Sequence, residues 1–244
     1  MRQTTTSGQC ASVRNASQRG YSLVEITVVL LVIGLIIGAA AVGRDLQRSA
    51  SYNRLSNDFV QGWQLAYDAY LAGVGRPPGD NAVSPTGQIN GGAAPARQEL
   101  CGTALINTFL AAGIRLPEGR AAGQPDRYAY LDSNGNPQEV QVCLQNVDWA
   151  EAGASVGVFV TRPRNVMVLK SVTPALAALL DAQVDGVQDA RFGRVRQDTQ
   201  ANSTGVTASQ LWAVDERMAY GSTVATSNDE SQIAVMTAYM QMLR

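Results

Sequence analysis

Histidine is absent from all 244 residues. That absence excludes Ser-His-Asp and Cys-His catalysis and every imidazole-ligated metal centre. Cysteine is scarce, with three in the chain, so a four-thiolate zinc site is excluded as well. Net charge is small: 19 basic residues nearly cancel 20 acidic ones. A basic face for nucleic acid spread over the whole chain is therefore not expected. The composition points away from an enzyme and toward a chain whose work is done by surfaces, and it calls for no cofactor.

What the chain does have is concentrated near its start. Residues 19–43 read RGYSLVEITVVLLVIGLIIGAAAVG, and from Ile26 to Gly43 there are 18 residues without a charge. At ~1.5 Å rise per residue such a helix crosses most of a ~30 Å hydrocarbon core, and adding Tyr21 to Val24 completes the span. One carboxylate, Glu25, interrupts it. A lone charge costs roughly 2.5–3.5 kcal/mol at a bilayer centre and less near the interface, so Glu25 calls for a partner. A secretory signal has an apolar region of only about 7–15 residues before an A-x-A-like cut, although Ala39 to Val42 imitates such a site. A plain anchor fits the length but gives no reason for Gly20 or Glu25. Positive charge does not decide orientation, because Arg2, Arg14 and Arg19 on one flank are balanced by Arg44, Arg48 and Arg54 on the other.

Gly20, Tyr21 and Glu25 together resemble the N-terminus of type IV prepilins and type II secretion pseudopilins, in which a Gly precedes the cut and Glu stands at the fifth mature position. Tyr21 departs from the more usual Phe or Met while keeping a ring in place of Phe. The resemblance implies cleavage after Gly20 by a membrane prepilin peptidase and N-methylation of Tyr21. It also implies that Glu25 pairs with the terminal amine of a neighbouring subunit during assembly on an inner-membrane platform. It places the N-terminus in the cytoplasm and implies a single-pass inner-membrane protein, later part of an extracellular pilus or a periplasmic pseudopilus. The partners expected are the peptidase, the inner membrane, the assembly platform and other pilin subunits, with no nucleic acid. The fold implied is α+β: a pilin-like long N-terminal helix on a small antiparallel sheet with extra short helices. Three segments follow: a leader at 1–20, a stem helix at 21–73 with 21–43 in the membrane, and a globular α+β domain at 74–244. That domain is larger than in a typical major pilin, which favours a minor or specialised subunit. A secretion pseudopilin and an anchored, adhesin-like binding module remain alternatives.

Removing the leader takes away three arginines and no acid, which lowers the net charge from −1 to −4. It also removes Cys10 and leaves Cys101 and Cys143 in an exported compartment, where disulfides persist. The expectation is a bond between them; two buried free thiols are the alternative. The loop of about 40 residues would contribute about 4 kcal/mol in the chain-entropy account.

Beyond the apolar run, Leu46, Leu55, Phe59, Trp63, Ala66 and Tyr70 recur at three- and four-residue steps and predict one continuing helix face. Gly34 and Gly38 form a G-x-x-x-G pair of the kind that permits close helix approach in lipid. The stem is expected to end at Gly73 to Asp80, where Gly and then a Pro pair cannot continue it. Gly73, Gly75 and Gly79 follow a helix rather than a strand and lack nucleotide-loop spacing. Residues 73–82 and 90–92 resemble the loop that follows the stem in many bacterial prepilins.

Further on, residues 98–112 are expected to form a helix stopped by Gly113. Residues 127–131 and 139–144 should form a hairpin around Asp132 to Pro137, whose Asn-Gly accepts positive φ. Alternating oxygens at Asp132, Asn134 and Asn136 admit a calcium loop, but without the closing Glu of an EF-hand a turn is favoured. Strands are expected at 156–161 and 165–170, with a helix opening at Pro174. Asp181 and Asp185 invite a paired-carboxylate reading, with solvated turn acids as the plainer one. Arg191, Arg194 and Arg196 are either a phosphate-facing patch or a charged strand face. Residues 198–209 read as a loop, Leu211 to Asp215 as an edge strand, and Asn228 to Leu243 as a capped helix. Reduction of the mature chain is expected to add the mass of one hydrogen per thiol at Cys101 and Cys143; an unchanged intact mass would mean they were never bonded.

Overall fold

A computed structural model describes residues 21–92, 97–121, 123–205, 212 and 233–242. The chain divides between Asp45 and Leu46 into two compact units, taken here in turn.

In the first unit Tyr21 and Ser22 lead into helix α1 (Leu23–Arg54). The Ser22 carbonyl accepts from the backbone amides of Glu25 and Ile26, which starts the helix. The stretch Leu23–Ala40 has a mean hydropathy of 2.7, and none of it is buried within the protein. A helix that is apolar on all sides is stable only where something other than water covers it. The leader at 1–20, with Cys10, lies outside the described residues.

In the second unit α1 passes through a π-helical turn (Leu55–Val60) into α2 (Gln61–Val74). The face that seats on the sheet carries Tyr52, Leu55, Phe59, Trp63, Ala66, Tyr67 and Tyr70, all buried. Leu46, expected on that face, is 65% exposed, because burial begins only at Tyr52. Gly75 at φ 77° closes α2, its amide bonded to the Leu71 carbonyl, as glycine permits at a left-handed cap.

The sheet is antiparallel, with β1 (Leu100–Cys101), β2 (Arg127–Leu131), β3 (Pro137–Ala152), β4 (Phe159–Val172), β5 (Val195–Gln197) and β6 (Met236–Gln241). Its order is β1-β3-β4-β6-β5, with β2 on β3 as well. Helix α3 (Gly102–Ala111) follows β1, and α4 (Pro174–Asp185) follows β4. Side chains alternate across β3: Val140, Val142 and Leu144 join the helix-side core with Trp63, Phe109 and Leu169, while Cys143, Val147 and Trp149 form a smaller cluster with Val166 and Val168. The fold is α+β and pilin-like.

Several elements differ from expectation. Residues 98–101 are not helical: Leu100 and Cys101 pair with Leu144 and Cys143, so helix α3 starts at Gly102. The two strands expected at 156–161 and 165–170 are one, running straight through Pro163. Proline is tolerated there because β6 pairs with β4 only from Val166 onward, leaving that edge without a ladder to break. The C-terminal helix is contradicted, since Met236–Gln241 is a strand between β4 and β5. Met236, Met240 and Leu243 fit a helical step, but Met236, Ala238, Met240 and Met242 fit a strand equally, and pairing to two neighbours decides it. The edge strand expected at 211–215 lies outside the described residues except for Trp212.

Trp63 anchors the helix–sheet contact. It is fully buried, edge-on to Phe109 at 5.6 Å between ring centroids, and its indole N–H donates to the Pro125 carbonyl at 3.0 Å. Trp63→Ala is expected to destabilise the globular unit by about 3–5 kcal/mol and lower its melting temperature by on the order of 10 °C. Leu65→Ala, on the exposed side of the same helix, should change it by less than about 0.5 kcal/mol; thermal melts by circular dichroism compare the two.

Candidate functional site

Of the sequence-predicted residues, Tyr21 and Glu25 belong to the first unit and Cys101 and Cys143 to the second, where the two cysteines come together. Tyr21 is 79% exposed just before α1. Glu25 lies in the first turn of that helix and is exposed, while Gly20 lies outside the described residues. A carboxylate in a first turn complements the positive end of the helix dipole. Around it Leu23, Val24, Ile26 and Val28 are all exposed, so Glu25 is a single charged position on an otherwise apolar rod. The N-terminal segment thus offers a helix end, a carboxylate and an uncovered aliphatic surface.

Residues 15–41 match a family model described as the prokaryotic N-terminal methylation motif. The match supports a prepilin-type or pseudopilin reading of the chain. No curated protein and no solved structure was found to match it. For a prepilin-type chain, the motif together with the apolar Leu23–Ala40 stretch fits membrane anchoring before assembly.

In the globular unit, Cys101 and Cys143 form a disulfide with Cα atoms 4.5 Å apart. They are register partners on β1 and β3. Beside the disulfide, Glu99 pairs with Lys170.

The loop after α2 closes around Asp80. Its carboxylate accepts from the backbone amides of Asn81, Thr86 and Gly87 and from the Thr86 hydroxyl. Burial works to raise the Asp80 carboxyl, but these donors outweigh it and hold the group below the usual carboxylate range. The loop is docked by Asn165 on β4, which accepts from the Ile89 amide at 3.0 Å and from Asn146 at 2.9 Å and donates to the Gly87 carbonyl at 2.9 Å. Gly79 is needed in that loop, since a Cβ there would fall 2.0 Å from Asn90 Oδ1.

The oxygen-rich turn at 132–136 is a hydrogen-bonded turn. Asp132 Oδ1 accepts from the amides of Asn134 and Asn136, and its Oδ2 accepts from Gln138 Nε2. That carboxylate is occupied by its own loop, as a turn requires.

The arginine cluster does not face outward as a patch. Arg191 and Arg196 are buried, which overturns the phosphate-facing reading. Arg196 lies over the Trp149 ring, 4.2 Å from its centroid, and donates to the carbonyls of Ala150 at 2.8 Å and Gly193 at 2.9 Å. Burial pushes its guanidinium down to about 10. Arg191 donates to the Ser203 hydroxyl at 2.6 Å. On the exposed side, Arg164 pairs with Glu151 through Nη2 at 2.8 Å, and that bond holds Glu151 below the usual carboxylate range. Sequence reading missed the Arg196–Trp149 stack, since nothing local in Gly193 to Arg196 announces a ring supplied from 47 positions upstream. Arg196→Ala leaves buried carbonyls without their donor and is expected to destabilise the unit by about 2–4 kcal/mol. Arg196→Lys should recover less than half of that loss, because a point charge cannot stack and fork together; urea unfolding of both variants measures the difference.

Proposed function

We propose that this chain is a structural subunit, minor or specialised, of a type IV pilus-like filament. A prepilin peptidase cuts after Gly20, Tyr21 becomes the N-methylated first residue, and residues 21–73 form the stem that carries the globular part at 74–244. The observation that carries the reading is the methylation motif set directly on an apolar helix of which no part is covered by the protein itself. Such a helix is stable in lipid, and on leaving lipid it needs other apolar helices around it. Assembly through the stem supplies that cover.

Glu25 selects the partner. Cleavage creates an α-amine that stays cationic after methylation, and an unpaired carboxylate within an apolar bundle is costly. Pairing of Glu25 with the amine of a neighbouring subunit removes both charges at once and fixes the stagger between stems. Secretion pseudopilins share this chemistry, and the size of the domain after residue 73 favours display on a filament. The role is structural rather than catalytic.

The N-terminal peptide mass, taken from membranes and from sheared surface material of cells with the native assembly machinery, tests the reading. A methylated Tyr21 in the sheared fraction is the expected result; an uncut N-terminus or a cut near Ala39 would overturn it. Glu25→Ala should be cleaved normally yet fall at least about tenfold in sheared fibres, and wild-type levels there would remove Glu25 from assembly.

A further inference from the structure

Near the C-terminal end of α4 two carboxyl groups lie one helical turn apart, at Asp181 and Asp185. Asp181 is buried on every side. Its Oδ2 accepts from the Trp212 indole N–H at 2.8 Å and the Asp189 amide at 2.5 Å. Its Oδ1 is buried and, among the described residues, no protein donor reaches it. Asp185 follows one helical turn later on α4, and its Oδ2 accepts from the amides of Arg194 at 2.8 Å and Val195 at 3.0 Å. The chain passes so near that a Cβ at Gly193 would lie 2.4 Å from that oxygen.

The nearby cations are held elsewhere. Arg196 on β5 points to Trp149 and the Ala150 carbonyl, Arg191 to Ser203, and Arg194 to the Gln241 carbonyl at 3.3 Å. The remaining acid of the loop, Asp189, accepts from the amides of Arg191 and Phe192. The π-helical turn offers α4 only the uncharged Ser56, bonded to Gln183. Among the described residues no cation is hydrogen-bonded to either carboxyl, although the charge of Arg196 acts on Asp185, and a fully buried carboxyl one turn from a second one does not ionise readily.

We propose that Asp181 and Asp185 share a single proton, carried on Asp181 Oδ1 and donated to the Asp185 carboxylate, and that this proton latches the end of α4 to the 186–197 loop and to Trp212. Losing it sets two negative charges against each other beneath the loop and loosens that end of the domain. Burial, with Asp185 beside it, pushes the Asp181 carboxyl up to about 7. An unfolded aspartate titrates near ~3.9. Between those values the folded protein holds a proton that the unfolded chain does not, so stability falls as pH rises through the interval and levels off above it. The globular unit would therefore tighten in acid and relax in neutral or alkaline surroundings. The inference concerns the globular unit and does not rest on the filament reading.

The test uses the full chain in detergent micelles, comparing the wild type with Asp181→Asn. The amide reproduces the protonated acid, its oxygen accepting from Trp212 and Asp189 and its N–H donating to Asp185. The wild-type melting temperature, taken relative to the variant to cancel the shared background of other carboxylates, is expected to fall by roughly 5 °C or more from pH 4.5 to 7.5. Above neutrality Asp181→Asn should melt higher than the wild type. Infrared spectra of the folded protein at pH 6 should show a protonated-carboxyl band that Asp181→Asn lacks, a readout that does not depend on the stability of the variant. Parallel melting curves, or no such band, would overturn the proposal. So would calcium chloride at pH 8 restoring the wild-type stability while leaving Asp181→Asn unmoved, since the pair would then hold a cation instead of a proton.

Discussion

The β3–β4 ladder is the constraint on which the globular unit depends, because every other strand reaches the sheet through it. It runs unbroken from Gln141 opposite Lys170 to Ala152 opposite Phe159. One edge of β3 receives β2 and then β1; the far edge of β4 receives β6, and β5 pairs with β6 alone. A single register thus sets which side chains face the helices. A shift by one residue would turn Val140, Val142 and Leu144 away from Trp63 and bring Cys143 into their place. The disulfide between Cys101 and Cys143 fixes the register on the other edge of β3, since it ties the short β1 to β3.

At the other end of the domain order is polar. The 186–197 loop is arranged around carboxylates that receive backbone amides and around arginines that give to backbone carbonyls, so charge there does the work that apolar contacts do under α2. Such groups stay buried only when each has its counterpart. That requirement ties α4, the loop, β3 and β5 into one polar assembly whose members do not vary independently.

Legibility differed by element for physical reasons. The apolar run and Glu25 are readable because membrane-spanning chemistry is local: composition and length alone carry it. The α2 face, the hairpin around Asn134 and Gly135, and Pro174 at the start of α4 are local signals too, and each stands in the structure. The failures share another cause. Met236 to Met242 satisfies two periodicities at once, and β4 and β5, distant in sequence, choose between them. Leu100 and Cys101 were drawn out of a helix by Leu144 and Cys143. Arg191 and Arg196 read as surface charge because burial of a guanidinium depends on a ring and carbonyls from elsewhere in the chain. Trp212 beneath Asp181 is of the same kind.

Pro163 has a consequence wherever two copies of this chain meet. From Phe159 to Arg164 the outer edge of β4 has no strand beside it among the described residues, and an open edge is a template on which a second sheet can add. Proline removes a donor from the middle of that edge, and beside it Arg162 and Arg164 share the single carboxylate of Glu151, which leaves a net positive charge there. Two such edges brought together would repel and miss a bond at their centre. Sheet-to-sheet growth at that edge is thereby discouraged, while the apolar surface of Leu23–Ala40 stays uncovered.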